Sequence, residues 1–236
     1  MYNVCILQIL TVAVSFSCKL QNWNPLTDNH VAALILARGG SKGIPLKNLV
    51  KIGNRSILNI TLNTVLQVDF SSVWVSTDNE RIFKEAAYVN VHWRSKESAT
   101  DDAPSILGVL DFIRSHPEAD VIALIQCTSP FIKKWYLMEA IWWINQGAEC
   151  VFSVSSVYII KHFVTVKSLH RSFHLRWLET EEGVQPLNFN IEKRPRRQDW
   201  NGELVENGMF YFVRRSVVTR GFLQSTRYTE ANVKNV

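Results

Sequence analysis

Five short apolar runs recur along the chain: VAALILA (31–37), SVWVS (72–76), VNVHW (89–93), VIALIQ (121–126) and CVFSVS (150–155). Each ends in polar or turn-forming residues and is too short for a stable helix, so each reads as a strand. Between them, apolar positions return every three to four residues at about 56–68, 79–87, 104–115 and 134–146, which predicts helices. Strands alternating with helices are the pattern of βαβ units. The expected fold class is therefore α/β, with a mostly parallel sheet covered by helices on both faces.

After residue 156 the rhythm breaks. The stretch YIIKHFVTVKSLHRSFHLRW (158–177) is basic and aromatic, an acidic loop with a proline follows, and then comes KRPRRQDW. Strand character returns only with ELVENGMFYFV (203–213). Residues 157–202 read as an excursion from the sheet, suited to an interface arm. No internal repeat or low-complexity tract is evident.

Composition narrows the class of ligand. With 47% hydrophobic and 20% charged residues in 236, the chain is that of a globular protein with one sizeable core. The net charge of +5 is concentrated in KRPRR (193–197) and in the segment after the first strand. That placement favours a local anionic ligand over a basic face for nucleic acid. The first 18 residues, MYNVCILQILTVAVSFSC, form an apolar run of signal-peptide length, too short for a membrane span. They are expected to be a signal peptide leading to the secretory pathway and the Golgi or ER lumen, the bland alternative being a buried first helix or strand. In that compartment Asn54 and Asn59 head glycosylation sequons. Cys5 and Cys18 belong to this leader, whereas Cys127 and Cys150 flank apolar runs and read as buried structural thiols. The six histidines have no metal-ligand spacing, and His162, His170 and His174 are expected on the surface of the excursion.

The chemistry gathers where strands end. Arg38 onward, Ser76-Thr77-Asp78, Arg94-Ser95 and Gln126-Cys127-Thr128-Ser129-Pro130 all follow apolar runs. In open α/β sheets such carboxyl ends line one ligand crevice. The first of them, LILARGGSKGIPLKN (34–48), offers consecutive glycine-rich amides to an oxyanion, with Arg38, Lys42 and Lys47 to match a polyphosphate's charge. It is not a Walker A loop, because Ser41 precedes Lys42, and it does not match GxGxxG. Asp78 reads either as a metal or ribose ligand or as the N-cap of the helix that follows. KRPRR reads as an arginine cluster for anions or as a nuclear localisation signal, which makes the nucleus the alternative location.

LARGGSKGIPLKN resembles the first signature of the CMP-N-acetylneuraminic acid synthetases (N-acylneuraminate cytidylyltransferases), in their animal-type form. VWVSTD (73–78), QCTSP (126–130), KRPRRQDWNGEL (193–204) and ENGMFYF (206–212) follow in that family's order, so the resemblance covers roughly 31–228. It implies a Rossmann-like three-layer α/β/α nucleotidyltransferase fold with a small dimerisation excursion. The expected organisation is a leader over 1–18, a cytidylyltransferase domain over 30–228 containing the arm 157–202, and a short tail over 229–236. The implied activity is transfer of CMP from CTP to sialic acid, with release of pyrophosphate. By position, Arg38, Ser41, Lys42 and Lys47 match residues holding the CTP triphosphate, and Asn48 one that helps to recognise the nucleotide. Arg94 and Ser105 fall at the cytidine, and Gln126 at the sialic acid. Arg196 matches the family's catalytic arginine, with Arg194 and Arg197 beside it. Asn207, Phe210 and Tyr211 either wall the sugar pocket or belong to the core. The implied partners are CTP, sialic acid and a second copy of the chain in a homodimer, without nucleic acid or a stable membrane span.

Three departures bear on this. The family's Asp-x-Asp motif for Mg2+ is expected after the segment matching 208–221, where this chain runs YTEANVKNV, and no Asp-x-Asp occurs in it. The metal ligands are then unassigned, Asp78, water or CTP itself being the alternatives. The stretch 155–167 is longer than the family's connection. Ala103 and Pro104 stand where relatives carry hydroxyl residues, while Ser105 remains. The alternatives to sialic acid activation are a catalytically impaired or truncated isoform that binds CTP or modulates a full-length partner, and activation of another acidic keto-sugar.

Overall fold

The computed structural model describes residues 29–40, 43–155, 171–172, 174–181, 183–193, 195–196 and 203–224. The expected signal peptide, Ser41, Lys42, His162, His170, Arg194, Arg197 and the tail 229–236 lie outside the described residues. Among the described residues no helix is long and apolar enough to cross a membrane.

In chain order the strands are β1 (Val31–Leu36), β2 (Lys51–Ile52), β3 (Arg55–Ser56), β4 (Ser72–Thr77), β5 (Asn90–Trp93), β6 (Val121–Ile125) and β7 (Cys150–Ser155). They continue with β8 (Arg171–Ser172), β9 (Trp177–Thr180), β10 (Gly183–Pro186) and β11 (Glu203–Arg214). The helices are α1 (Ile57–Val65), α2 (Glu80–Glu85), α3 (Lys96–Ala99), α4 (Ser105–Ser115), α5 (Lys134–Asn145) and α6 (Arg215–Val218).

The sheet order is β5-β4-β1-β6-β11-β7, with β8 joined to β11. Strands β5, β4, β1 and β6 are parallel to one another, and β11 runs antiparallel between β6 and β7. Side chains alternate across the sheet, which is why the inner strands are apolar at consecutive positions. Ala33 and Ile35 of β1 and Ala123 and Ile125 of β6 face one layer, with Leu58, Leu62 and Val65 of α1, Ile82 of α2 and Leu137, Ala140 and Ile144 of α5. Ala32, Leu34, Ile122 and Leu124 face the other, with Val109, Phe112 and Ile113 of α4 and Val217 and Val218 of α6. These are the expected three layers.

From β1 the chain winds outward through β4 to β5, then returns across β1 to β6. That reversal leaves a gap above the carboxyl ends of β1 and β6, where crossover connections diverge to opposite sides.

Candidate functional site

Beyond β1 the main chain stays tied to β4 for one more residue, since Ala37 N donates to Ser76 O at 2.8 Å. Arg38 then turns out over the gap. Its Nη2 pairs with Asp101 Oδ1 at 3.1 Å, and its Nη1 donates to the carbonyl of Thr100. Gly39 N donates to Asp78 Oδ1 at 2.7 Å. Asp78 is therefore not the helix cap: Asn79 Oδ1 accepts from Arg81 N at 3.0 Å and Ile82 N at 3.4 Å, capping α2. The one-residue shift frees the Asp78 carboxylate to pin the glycine loop. The loop re-enters through Leu46, whose φ of 49° lies in the left-handed region, and a turn of 3-10 helix at Lys47–Leu49. That turn buries Asn48, whose Nδ2 donates to Arg38 O at 3.1 Å. Asn48 thereby closes the loop onto its own start.

The opposite wall begins at the end of β5. Arg94 N donates to Thr77 O at 2.9 Å, extending the β4–β5 ladder and aiming the side chain over the gap. Its guanidinium lies on Ser98, with Nη2 donating to the Ser98 carbonyl and Nε to Ser98 Oγ at 3.5 Å. Burial pulls the Arg94 pKa below the ordinary arginine range, while Asp78 and Asp111 oppose that shift. Gly108 of α4 supplies the room: a Cβ there would lie 2.7 Å from Arg94 Nη2 and 3.1 Å from Leu36 Cδ1. Sequence reasoning missed this glycine, because only the crossing of α4 over β1 and β5 makes it matter.

The third side is the end of β6. Gln126 N donates to Met209 O at 2.9 Å, so Gln126 and the middle of β11 share an edge of the gap. Cys127 is buried, and burial pushes its thiol pKa up to about 12 against the opposing influence of Thr61 and Lys47. A neutral, buried thiol is no nucleophile, in keeping with the structural role expected of it. Cys150 is half-buried against the second core layer.

These walls enclose one crevice, lined by Leu36, Arg38, Gly40, Lys47, Asn48, Arg94, Ala103, Ser105, Gln126, Cys127 and Thr128. Arg38, Lys47, Asn48, Arg94, Ser105 and Gln126, all expected from the sequence, thus converge. Ala103 contributes a methyl group to the lining, and Pro104 precedes α4 with no side-chain cap. Ser105 therefore opens a helix with no side-chain cap over its first amides, of which Leu107 N bonds Pro104 O at 3.0 Å. Three cations in one crevice suit a polyanion, and the glycine loop suits its phosphate oxygens.

Other expected residues are elsewhere. Arg196 is exposed and is not part of the crevice lining. Asn207 Oδ1 accepts from Met209 N at 3.1 Å, and Tyr211 donates its hydroxyl to Glu206. Burial and Glu206 both raise the Tyr211 pKa, so the phenol stays protonated. Phe210 is fully buried in the core, which settles the wall-or-core choice for that residue. His174 is exposed, as expected.

Magnesium, which the resemblance implies, would need carboxylate ligands from the protein or the oxygens of its nucleotide. Among the described residues no three His, Cys, Asp or Glu side chains group to hold a metal ion. Asp78 is committed to Gly39 N and Asp101 to Arg38.

A family model described as cytidylyltransferase matches residues 32–234. The chain is 41% identical over 213 residues to N-acylneuraminate cytidylyltransferase A of Danio rerio, covering 87% of this chain and 46% of the relative. It is 44% identical over 200 residues to the N-acylneuraminate cytidylyltransferase of Oncorhynchus mykiss, covering 81% and 43%. The chain thus spans less than half the length of these curated relatives. Among solved structures it is similar to a CMP:2-keto-3-deoxy-manno-octonic acid synthetase complexed with CTP, with a TM-score of 0.59, 16% identity and coverage of 87% and 83%. A 4-diphosphocytidyl-2C-methyl-D-erythritol synthase from Anaerococcus prevotii follows at a TM-score of 0.55, 13% identity and coverage of 86% and 81%. At those identities the structures establish the fold.

Proposed function

Since the chain belongs to the cytidylyltransferase family, we propose that it transfers CMP from CTP to N-acetylneuraminic acid, giving CMP-sialic acid and pyrophosphate. The observation that carries this reading is the convergence of Arg38, Lys47 and Arg94 on one crevice at the strand reversal. The sugar follows from the fish relatives, whose names specify N-acylneuraminate.

The anomeric hydroxyl of the sugar attacks the α-phosphorus as the bond to the β-phosphate breaks. Negative charge therefore grows on the departing pyrophosphate, and catalysis consists of alignment and charge stabilisation. Arg38 and Lys47, beside the glycine loop, are placed for the β- and γ-phosphates. Arg94, Ala103 and Ser105 form the nucleoside end, and Gln126 faces the sugar. Arg196 comes from a partner subunit in this reading, which requires a homodimer. Mg2+ would arrive with the nucleotide and supply further neutralisation of the triphosphate.

A second reading has its own observation. Asp78 and Asp101, the carboxylates beside the crevice, are engaged by Gly39 N and by Arg38, which favours a form that binds CTP without turning it over. Pyrophosphate release from CTP, N-acetylneuraminic acid and Mg2+ separates the two: turnover supports the enzyme, and CTP binding without turnover supports the binding form. In either case Arg38→Ala is expected to abolish CTP binding in calorimetry. Unchanged affinity would refute the phosphate-loop assignment.

A further inference from the structure

Arg94 is braced by a residue that belongs to none of the sequence motifs. Asp111, on the middle of α4, turns toward the start of α3, and its Oδ2 accepts from Ser95 N at 2.8 Å and from Ser98 Oγ at 3.0 Å. Ser95 caps α3 in turn, its Oγ accepting from Ser98 N at 3.3 Å. The guanidinium of Arg94 rests on the carbonyl and hydroxyl of Ser98. A continuous chain of hydrogen bonds therefore runs from α4 through Ser98 to the cation that faces the crevice.

Asp111 has little freedom to leave this arrangement. Behind it the buried His92 brings Nε2 to 3.6 Å from Oδ2. The His92 ring is held edge-on by Phe112 at 5.5 Å and His116 at 5.4 Å. Burial raises the Asp111 carboxyl pKa, but the Ser95 amide, the Ser98 hydroxyl and His92 outweigh it, and the net shift is downward. Gly108, one turn earlier on α4, clears the space beside Arg94 Nη2. The same helix thus provides the hollow for the guanidinium and the post behind it.

We propose that Asp111 is a positioning residue for Arg94: by fixing the Ser95–Ser98 turn it orients the guanidinium at the nucleoside end of the crevice. It would thereby set CTP affinity and base discrimination without touching the nucleotide. This rests on the reading of the crevice as a CTP site. Both bonds fall on one oxygen, so asparagine can reproduce the acceptor and leucine cannot.

The test is calorimetry on the full chain with CTP, UTP and inorganic tripolyphosphate as separate probes. Asp111→Leu is expected to weaken CTP by about tenfold, the scale of one charge-assisted hydrogen bond, and to erode the preference for CTP over UTP. Tripolyphosphate, which needs only the phosphate loop, should stay within about twofold, and Asp111→Asn should keep CTP affinity within about threefold. In an Arg94→Ala background Asp111→Leu should cost nothing further, because the residue it positions is gone. Equal losses for CTP and tripolyphosphate, or additive losses in the double variant, would overturn the proposal by pointing to general damage to the fold. CTP binding untouched by Asp111→Leu overturns it alone. Failure of the unaltered chain to bind CTP overturns the functional reading as well.

Discussion

A single methyl group probes how the glycine loop is seated. A Cβ on Gly39 would lie 2.7 Å from Asn79 Cβ, a contact with the base of a side chain that is itself fixed as the α2 cap. Gly39→Ala must therefore displace either the loop or the cap, at a cost of about 1–3 kcal/mol as in other overpacked sites. The expected result is a melting temperature lowered by about 2–10 °C together with weaker CTP binding, read by calorimetry. An unchanged melting temperature would show that the close approach is relieved without strain. At this scale the sequence was informative wherever a residue acts through its own motif. Arg38, Lys47 and Asn48 carry charge or amide groups in an unusual glycine-rich context, so their place in the crevice could be read in line. Gly108, Thr100, Asp101 and Asp111 could not. Each works on a group remote in sequence, such as Asp101 on Arg38 at 3.1 Å, and nothing local distinguishes it from a surface or helix residue.

The predicted elements match closely because their burial is two-sided and their periods differ cleanly: VIALIQ (121–126) becomes β6 (Val121–Ile125), and 104–115 becomes α4 (Ser105–Ser115). What escaped was the direction of β11. ELVENGMFYFV reads as a strand in either direction, and only its register with β6 and β7 makes it antiparallel. The end of that strand has a structural task that periodicity also conceals. Arg214 donates to the carbonyls of Ala148 and Ile144 at 3.0 and 2.8 Å, closing the end of α5. Arg215 donates to His116, Ala119 and Ile113 at 2.9, 3.3 and 2.5 Å, closing the end of α4. Both add charged donors to carbonyls at and just beyond a helix C-terminus, where the negative end of the helix dipole lies. Arg215→Ala should lower stability by about 2–3 kcal/mol, since charge-assisted bonds to partly buried carbonyls are lost. Denaturant unfolding measures that loss, while CTP affinity should stay unchanged because the crevice is at the other end of the sheet. A parallel drop in affinity would mean that the α4 C-terminus governs the site.

Whole-molecule organisation turns on the excursion, where β9 and β10 form a two-stranded sheet of their own. A lone hairpin is marginally stable in water, and this one displays Trp177, Leu178 and Val184, the last 65% exposed. Leu187 and Ile191, further along the chain toward Pro195 and Arg196, are exposed as well. Exposed apolar residues of this kind suit an interface, and the proposed partner is a second copy of the chain. Leu178→Glu with Val184→Glu should convert a dimer to a monomer in light scattering and leave Arg38, Lys47 and Arg94 free to bind CTP. A variant that remains dimeric would place the interface elsewhere. If each crevice joins its own Arg38 to the partner's Arg196, mixing inactive Arg38→Ala and Arg196→Ala subunits gives heterodimers with one complete site. Random re-association would then restore about a quarter of the sites, because half the dimers are mixed and each of these has one intact crevice. No recovery in a sample that is demonstrably mixed would assign Arg196 to its own subunit.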